Sequence, residues 1–343
     1  CSLRRMFWTG RYRRSARMAG RWCWKCRRRS WKNSLAGKVK LLCVCGPTAS
    51  GKTTLAVELA KRLNGEVVSA DSMQIYKGLH IGTAAPSREE MQGVPHHLIG
   101  VLEPGTPCSA ADYAAMAGQA VQEISARGRL PVLCGGTGLY LRSFLEGIAF
   151  ARQPENADVR RRLQQELAQK GPGPLYGRLC RLDPQGAAAI HPNNHTRLLR
   201  ALELYEATGQ TAAQRAAASK PQEAPYEPLV LALAFADRAQ LYARIDARVD
   251  AMMAQGLLKE AEQVYAHRAS WPGVAQAIGY KEFFPYFEDA VPLAQCIAAL
   301  KQASRRYAKR QLTWFRHMPG VTWLPAGESS VQLAQQAWQE FCR

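Results

Sequence analysis

Short apolar runs alternate with amphipathic helical stretches along most of the chain. The apolar runs have the length of buried strands, and they span residues 40–45, 66–70, 130–134 and 228–235. One long stretch with helical spacing begins near Lys52, and three others span residues 158–170, 196–207 and 238–254. The run PLVLALAF at 228–235 is apolar throughout, which is typical of a central strand buried on both faces. Strands that alternate with helices predict an α/β fold with a parallel sheet.

The pattern changes between residues 150 and 225. Ala, Gln, Arg and Glu dominate this stretch with helical spacing, and it is interrupted by GPGP at 171–174 and HPNN at 191–194. We interpret residues 150–225 as an all-helical domain inserted into an α/β core, which residues 37–149 and 226–343 would form. The Asn-rich turn before residue 196 can supply the N-cap of a helix.

Composition and charge narrow the class of protein. The chain has 343 residues, of which 47% are hydrophobic, and no apolar run reaches the roughly 18 residues that a membrane span needs. We therefore expect a soluble protein with no membrane partner. The net charge is +19, but residues 1–36 hold 12 Lys or Arg and no acid, which leaves 34 basic and 27 acidic residues elsewhere. A moderately basic body suits a polyanionic partner.

The cysteines and the first residues say less about function. The ten cysteines are irregularly spaced, and several lie inside apolar runs, where a reduced thiol behaves as a small hydrophobe; we expect a cytoplasmic protein. Cys23 and Cys26 form a lone CxxC, which is weak support for a metal site. Residues 1–36 fit an RNA-binding arm, an Arg-rich targeting peptide or an extension without function. We favour the extension, and we expect it to be disordered.

A phosphate-binding motif follows the first strand. GPTASGKT fits the pattern GxxxxGK[ST], and it lies between an apolar strand and a helix, which is the context that supports such a match. Backbone N–H groups and the helix N-terminus can bind phosphate there, Lys52 adds a positive charge, and the Thr53 hydroxyl is the expected magnesium ligand. The residues predicted to bind nucleotide or diphosphate are Gly46, Pro47, Thr48, Ala49, Ser50, Gly51, Lys52 and Thr53. The predicted fold is therefore P-loop NTPase-like, with helices on both faces of the sheet.

Asp71 directly follows the 66–70 strand. Ligands of wound parallel sheets bind at the carboxyl ends of the strands, so we expect Asp71 beside the phosphate loop. It is a candidate general base or a carboxylate that organises magnesium; the alternative is that it only caps a turn. Arg244 and Arg248 lie one helical turn apart on the same face of the 238–254 helix.

Two basic segments are candidates for contact with RNA. In the first, Arg197 and Arg200 are three residues apart on one helix face. In the second, Arg305, Lys309 and Arg316 fall on one helical side and are interleaved with Tyr307, Trp314 and Phe315. Cations bind phosphates and flat rings support a splayed base. The alternative for both segments is an ordinary solvated face.

Several motifs in this order resemble the tRNA dimethylallyltransferases: GPTASGKTTLA, SADSMQIYKGLHIGTAAP, PHHL, GGTGLY, QAIGYK and KRQLTWFR. Members of that family attach a five-carbon prenyl group to an adenosine beside the anticodon of tRNA. The resemblance runs from about residue 40 to residue 323. It implies dimethylallyl diphosphate as the donor, the exocyclic N6 amine of adenosine as the acceptor, a tRNA anticodon stem-loop as the partner and Mg²⁺ as the cofactor. We expect a monomer.

The resemblance also implies roles for residues. Asp71 would be the base at N6, and the phosphate loop, with Arg244 or Arg248, would neutralise the departing diphosphate. The catalytic set is Asp71, Thr48, Lys52, Arg244 and Arg248. The predicted tRNA-binding set is Asp71, Ser72, Met73, Gln74, Thr137, Arg160, Thr196, Arg197, Leu198, Leu199, Arg200, Gln276, Ala277, Ile278, Gly279, Tyr280, Lys281, Lys309, Arg310, Gln311, Leu312, Thr313, Trp314, Phe315 and Arg316. The target base is expected to leave its stack to reach Asp71.

Three other functions share parts of this pattern. A P-loop small-molecule nucleotide kinase has no need of the 150–225 insertion or of the basic aromatic segment, and it would consume ATP without a prenyl donor. A prenyltransferase of free adenine nucleotides would accept AMP. A non-enzymatic RNA-binding NTPase module would bind tRNA without changing its mass.

Overall fold

A computed structural model describes residues 38–147, 157–218 and 226–343 of the chain. Its strands are β1 (Val39–Cys45), β2 (Gly65–Ser69), β3 (His96–His97), β4 (Leu130–Gly135), β5 (Tyr226–Ala234) and β6 (Val321–Pro325). All pair in parallel, in the order β3-β2-β4-β1-β5-β6. The predicted parallel α/β sheet is confirmed, and β3 and β6 at its two edges are additional to the predicted strands.

The helices belong to three groups. The first group surrounds the sheet and comprises α1 (Lys52–Leu63), α2 (Arg88–Met91), α3 (Ala110–Ala126), α4 (Gly138–Leu145) and α15 (Ser330–Phe341). The second comprises α5 (Ala157–Lys170), α6 (Pro172–Leu182), α7 (Pro184–Ala188), α8 (His195–Thr208) and α9 (Ala212–Ala218). The third comprises α10 (Arg238–Ala254), α11 (Leu257–Ala266), α12 (Pro272–Ala275), α13 (Phe284–Phe287) and α14 (Leu293–Arg316), with a 3₁₀ turn at Lys281–Phe283.

Both faces of the sheet are covered by apolar contacts, which explains its hydrophobic strands. On one face, α3, α4 and the end of α14 contribute Tyr113, Leu141 and Phe315 to a buried cluster. On the other face, α1 and α15 contribute Leu59 and Trp338. This arrangement confirms helices on both sides of the sheet, as a parallel sheet requires.

The second group of helices has an apolar cluster of its own. Leu163, Leu175, Leu179 and Leu202 are buried together there. As the Asn-rich turn predicted, the side chain of Asn194 caps α8 by accepting a hydrogen bond from the Arg197 N–H at 3.2 Å. The predicted domain boundaries at 150 and 225, and the whole 1–36 extension, lie outside the described residues, so these assignments stay predictions.

The third group, α10–α14, is here called the C-terminal lobe. Val249, Val264 and Phe283 of this lobe pack against Ile75 and Leu79, which follow β2. Two ion pairs join α10 to α14: Asp246 pairs with Arg305 at 2.5 Å, and Asp250 pairs with Lys301 at 2.6 Å. The lobe therefore fixes two long helices beside the carboxyl ends of the strands. Among the described helices, none is both long and apolar enough to cross a membrane.

The chain segments at the carboxyl ends of β2 and β4 contact each other directly. The backbones of Gly135 at the end of β4 and Ala70 after β2 approach so closely that a Cβ at position 135 would lie 2.1 Å from the Ala70 oxygen. Only glycine fits this contact, because the obstructing atoms are backbone. Since Asp71 is the next residue after Ala70, its position depends on this junction.

We predict that Gly135→Ala destabilises the protein by about 1–3 kcal/mol, as expected for overpacking, and displaces Asp71. Thermal or denaturant unfolding measures the first effect. Gly173→Ala is the matched control, because a Cβ at Gly173 meets nothing within 4 Å, and it should be neutral or slightly stabilising. An equal effect of the two substitutions would contradict the assigned role of the Gly135 contact.

Candidate functional site

The phosphate loop, residues 46–53, connects β1 to α1 as predicted. Gly46, Ala49 and Gly51 have positive φ angles of 145°, 60° and 87°, which turn the backbone between strand and helix. The Pro47 carbonyl accepts hydrogen bonds from the Ser50 N–H at 3.3 Å and from the Lys52 ammonium at 3.3 Å. The Lys52 side chain thus lies over the loop, at the N-terminus of α1, where an anion is favoured.

Two arginines of α10 reach the same loop. Arg244 Nε donates to the Ala49 oxygen at 3.0 Å, and Arg248 contacts the Thr48 hydroxyl and the Ala84 oxygen, each at 3.5 Å. Arg244 is exposed and Arg248 is half-buried. The structure therefore brings both predicted arginines to the loop, with Arg248 deeper in the site.

The clustering of these cations is unfavourable without an anion. Burial lowers the pKa of Lys52, and the charge of Arg248 adds to that effect while Asp71 opposes it. Burial also lowers the pKa of Arg248, which is opposed by Glu90 and Asp71 and reinforced by Arg244. A bound diphosphate would relieve this repulsion and compensate for the lost hydration. The electrostatics of the loop thus fit a polyanionic ligand.

Asp71 combines a fixed oxygen with an open one. Its Oδ1 accepts hydrogen bonds from the N–H groups of Met73 at 2.9 Å and Gln74 at 3.4 Å. The carboxylate therefore does cap a turn, which was the alternative role in the sequence. Within the described part of the chain, Oδ2 accepts no hydrogen bond, so one oxygen remains for a ligand. The structure thus supports the capping role and leaves the reactive role available.

Thr137 ties the second glycine loop, residues 135–138, to the segment after β2. Its hydroxyl accepts a hydrogen bond from the Ser72 N–H at 3.1 Å, and its own N–H donates to the Ala70 oxygen at 3.2 Å. Tyr307 of α14 also faces this region: burial raises its pKa to about 12, and the charge of Asp71 adds to the effect. Asp71, Thr137 and Tyr307 thus lie near one another, next to the phosphate loop.

Gln311 of α14 connects the two loops. Its Oε1 accepts a hydrogen bond from the Thr48 N–H at 2.9 Å, and its Nε2 donates to the Gly136 oxygen at 3.0 Å. The side chain is 5% exposed. The sequence placed Gln311 among the tRNA-binding residues; the structure corrects this, because both ends of its amide bind backbone inside the protein.

Two surface cavities adjoin residues predicted to bind RNA. The first, of about 540 Å³, lies between α4 and the end of α14, and its lining is Arg142, Glu146, Lys309, Arg310, Thr313, Trp314, His317, Met318 and Pro319. The second, of about 350 Å³, lies between α5 and α8, and its lining is Arg160, Gln164, His195, Thr196, Leu199, Arg200 and Glu203. The structure thus brings Arg160 and the 196–200 segment together, although they are far apart in the sequence.

Burial corrects the prediction for several other side chains. Leu198, Tyr280 and Phe315 are fully buried and Ala277 is 9% exposed, so these side chains belong to the apolar clusters and do not face an RNA. Periodicity alone could not separate the core-facing from the exposed side of these amphipathic helices. Arg305, expected on the basic face, is instead paired with Asp246. Arg197, Gln276, Lys281, Lys309 and Arg316 are exposed, and their contact with tRNA stays a prediction.

Six polar residues that line the cavities were not predicted from the sequence: Arg142, Glu146, Gln164, His195, Glu203 and His317. Arg142 lies on α4, after the second glycine loop, and it forms an ion pair at 3.0 Å with Glu146, the residue directly after that helix. His317 comes one residue after the predicted 309–316 segment, and His195 comes one residue before the predicted 196–207 helix. Extending each segment by one helical position would have found the two histidines. Nothing in the local pattern indicated Arg142 and Glu146, since the contact of α4 with α14 is tertiary.

We predict that Gln311→Ala lowers the free energy of unfolding by about 1–3 kcal/mol, because it leaves the Thr48 N–H and the Gly136 oxygen without their buried partner. The affinity for inorganic diphosphate should also fall, by roughly tenfold if the loop loses about 1.4 kcal/mol of preorganisation. Calorimetric titration and thermal unfolding measure the two effects. Gln302→Ala, an exposed position on the same helix, should change neither; unchanged diphosphate affinity in the Gln311 variant would contradict the connecting role.

Comparisons with known proteins identify the family of this chain. The family model described as IPP transferase matches residues 74–318. A tRNA dimethylallyltransferase of Bacillus subtilis (strain 168) is 46% identical over 286 residues, which cover 83% of this chain and 90% of the relative. One from Roseiflexus sp. (strain RS-1) is 45% identical, covering 87% of this chain and 96% of the relative.

Two solved structures of transferases that act on tRNA are similar to this chain in sequence and fold. The full-length tRNA isopentenylpyrophosphate transferase of Bacillus halodurans is 42% identical, with a TM-score of 0.66 over 89% of this chain and 97% of that one. A eukaryotic dimethylallyltransferase acting on tRNA is 30% identical, with a TM-score of 0.69 over 88% of this chain and 77% of that one. The chain belongs to the IPP transferase family, the family of the tRNA dimethylallyltransferases.

Proposed function

We propose that this protein transfers a dimethylallyl group from dimethylallyl diphosphate to the N6 amine of an adenosine beside the anticodon of tRNA, with release of diphosphate. Family membership supports the activity. The observation that supports this arrangement best is the position of Asp71: its charge opposes the lowering of the pKa values of Lys52 and Arg248 at the phosphate loop, and the next residue, Ser72, donates a hydrogen bond to Thr137 of the second glycine loop. A donor and an acceptor can thus meet at one carboxylate.

The phosphate loop serves the leaving group in this proposal. As the bond between the allylic carbon and diphosphate breaks, negative charge grows on the diphosphate. Lys52, Arg244 and Arg248 are already held at that position, so they stabilise the charge without reorganising. Of the two arginines, we assign the diphosphate to Arg248 first, because it is the less exposed and contacts Thr48.

Asp71 serves the nucleophile. The N6 lone pair is delocalised into the adenine ring, so the amine attacks carbon poorly unless a base takes its proton. Oδ1 is held by the N–H groups of Met73 and Gln74, which leaves Oδ2 to accept that proton. Carbon–nitrogen bond formation, carbon–oxygen bond cleavage and proton transfer to Asp71 then balance, and diphosphate departs with the bonding electrons.

A target adenosine must leave its stack to reach Asp71, which requires a few kcal/mol. Residues that line the first cavity can stabilise that distorted loop: Lys309 and Arg310 are exposed cations, and Trp314 offers a partly buried indole ring. Cations of this kind bind phosphates and rings stack on unpaired bases. We therefore place the anticodon stem-loop over α4, the end of α14 and the second cavity.

Few protein groups at this site could bind a Mg²⁺ ion. The Thr53 hydroxyl, in the first turn of α1, would hold the ion, while the described residues contain no cluster of three or more His, Cys, Asp or Glu that could hold a metal. A Mg²⁺ ion bound mainly by diphosphate and water needs no more protein ligands than this one. When bound, it would neutralise part of the diphosphate charge.

The remaining assignments concern context. A tRNA substrate supports a cytoplasmic site of action, and we propose that the protein acts there as a monomer. Family membership favours tRNA over free nucleotides as the acceptor and disfavours the kinase and the non-enzymatic alternatives.

We predict that Asp71→Asn lowers the single-turnover rate of prenyl transfer by about 10²–10⁴-fold, the range for loss of a general base. The amide can still accept the turn hydrogen bonds, so the affinities for diphosphate and for a stem-loop should change less than about threefold. Mass spectrometry of the RNA and calorimetric binding measure the two effects. Asp289→Asn, on an exposed turn, is the control; a rate unchanged, or lost in proportion to stem-loop binding, would contradict the role of Asp71.

A further inference from the structure

One carboxylate of the C-terminal lobe binds an unusual number of backbone donors. Glu260, in the first turn of α11, accepts hydrogen bonds from the N–H groups of His80 at 2.9 Å, Ile81 at 3.0 Å and Gly82 at 2.7 Å. The Tyr280 hydroxyl donates to the same carboxylate at 2.8 Å. Four donors satisfy both oxygens of one ionised group, which makes these bonds stronger than neutral ones.

These bonds fix the 79–85 loop, which lies between β2 and α2. The loop closes on itself through the N–H of Ala84 to the Ile81 oxygen at 2.9 Å and that of Ala85 to the His80 oxygen at 3.0 Å. Ala84 has a φ of 53°, a conformation that residues with a side chain adopt rarely. Such a conformation persists only where the surroundings enforce it, and Glu260 fixes the residues whose carbonyl groups bind the N–H groups of Ala84 and Ala85.

The sequence motif QAIGYK contributes to the same contact. A Cβ at Gly82 would lie 2.6 Å from the Tyr280 ring, and one at Gly279 would lie 3.2 Å from the Gly82 oxygen. The ring of Tyr280 therefore packs on the loop backbone while its hydroxyl binds Glu260. This explains the motif without contact between Tyr280 and RNA.

The far end of the 79–85 loop reaches the candidate active site. The Ala84 oxygen accepts a hydrogen bond from the Gln74 amide at 3.0 Å and contacts the Arg248 guanidinium at 3.5 Å. Arg248 has its other contact with Thr48 of the phosphate loop. The Ala84 carbonyl thus sets the direction of Arg248 toward the loop, and Glu260 sets the position of that carbonyl without touching a ligand itself.

We propose that Glu260 is a positioning residue for the reaction: by binding the 79–85 loop it holds the Ala84 carbonyl that orients Arg248 toward diphosphate. The inference rests on the proposed function in one respect, the assignment of diphosphate to Arg248. Glu260 acts through backbone, so its effect should appear in diphosphate binding and should require Arg248.

The test is a double-mutant cycle between Glu260→Gln and Arg248→Ala, with inorganic diphosphate and Mg²⁺ as the probe in calorimetric titration of the full chain. Glu260→Gln places an amide donor against backbone N–H donors, so we expect diphosphate to bind roughly tenfold more weakly. In the Arg248→Ala background the same substitution should change affinity by less than about twofold. Stem-loop affinity should stay within about threefold in both backgrounds.

Controls separate the possible failures. Glu262→Gln, an exposed position two residues along α11, should bind diphosphate like the wild type. If Arg248→Ala alone leaves diphosphate affinity unchanged, the assignment of Arg248 fails, which is part of the proposed function. If Arg248→Ala weakens binding and Glu260→Gln weakens it equally in both backgrounds, the inference about Glu260 is overturned.

A milder variant covers the case in which Glu260→Gln does not fold. Tyr280→Phe removes one of the four hydrogen bonds and keeps the ring on Gly82, so the protein should fold and bind diphosphate about two- to threefold more weakly. That loss should also vanish in the Arg248→Ala background. Wild-type affinity in Tyr280→Phe, or a loss that persists without Arg248, would overturn the proposal by the same logic.

Discussion

Lys52, Arg244 and Arg248 are held together at one phosphate loop against their mutual repulsion, and the rest of the structure can be understood from that constraint. Like charges brought into a partly buried site lose hydration and repel one another. The fold must therefore fix them from several directions. The helix after β1 carries Lys52, α10 carries the two arginines, and the Asp246 and Asp250 ion pairs hold α10 against α14. The proposed function interprets this cluster of fixed cations as a preorganised site for diphosphate.

In the proposed function, α14 connects the binding sites of the diphosphate donor and the tRNA acceptor. α14 presents Lys309, Arg310 and Trp314 to the first cavity, while Gln311 on its inner side binds both the phosphate loop and the second glycine loop. An RNA that contacts the outer side of α14 thus contacts the element that shapes the donor site. In the proposed function, a single helix would serve both acceptor binding and leaving-group stabilisation, which fits the close alternation of polar and apolar residues along α14.

Much of the fold could be predicted from sequence because it depends on local pattern. The 40–45 and 228–235 runs are apolar enough to require burial, and the phosphate-loop motif is typical of a loop with a strand before it and a helix after it. The Asn-rich turn before residue 196 likewise indicated a helix cap from local sequence, and Asn194 provides it. What the pattern could not give was tertiary partnership. Tyr280 and Phe315 lie in motifs with charged neighbours, yet they are core residues, and Gln311 binds backbone more than 170 residues away along the chain, at Gly136.

The choice of tRNA over a free nucleotide as the acceptor can be tested in one competition experiment. The wild-type chain is incubated with Mg²⁺, dimethylallyl diphosphate and equal concentrations of an adenosine-containing anticodon stem-loop and AMP, and the masses of both acceptors are then determined. We expect a gain of one dimethylallyl group on the stem-loop and none on AMP. Addition to AMP in preference to the stem-loop, or to neither acceptor, would contradict it.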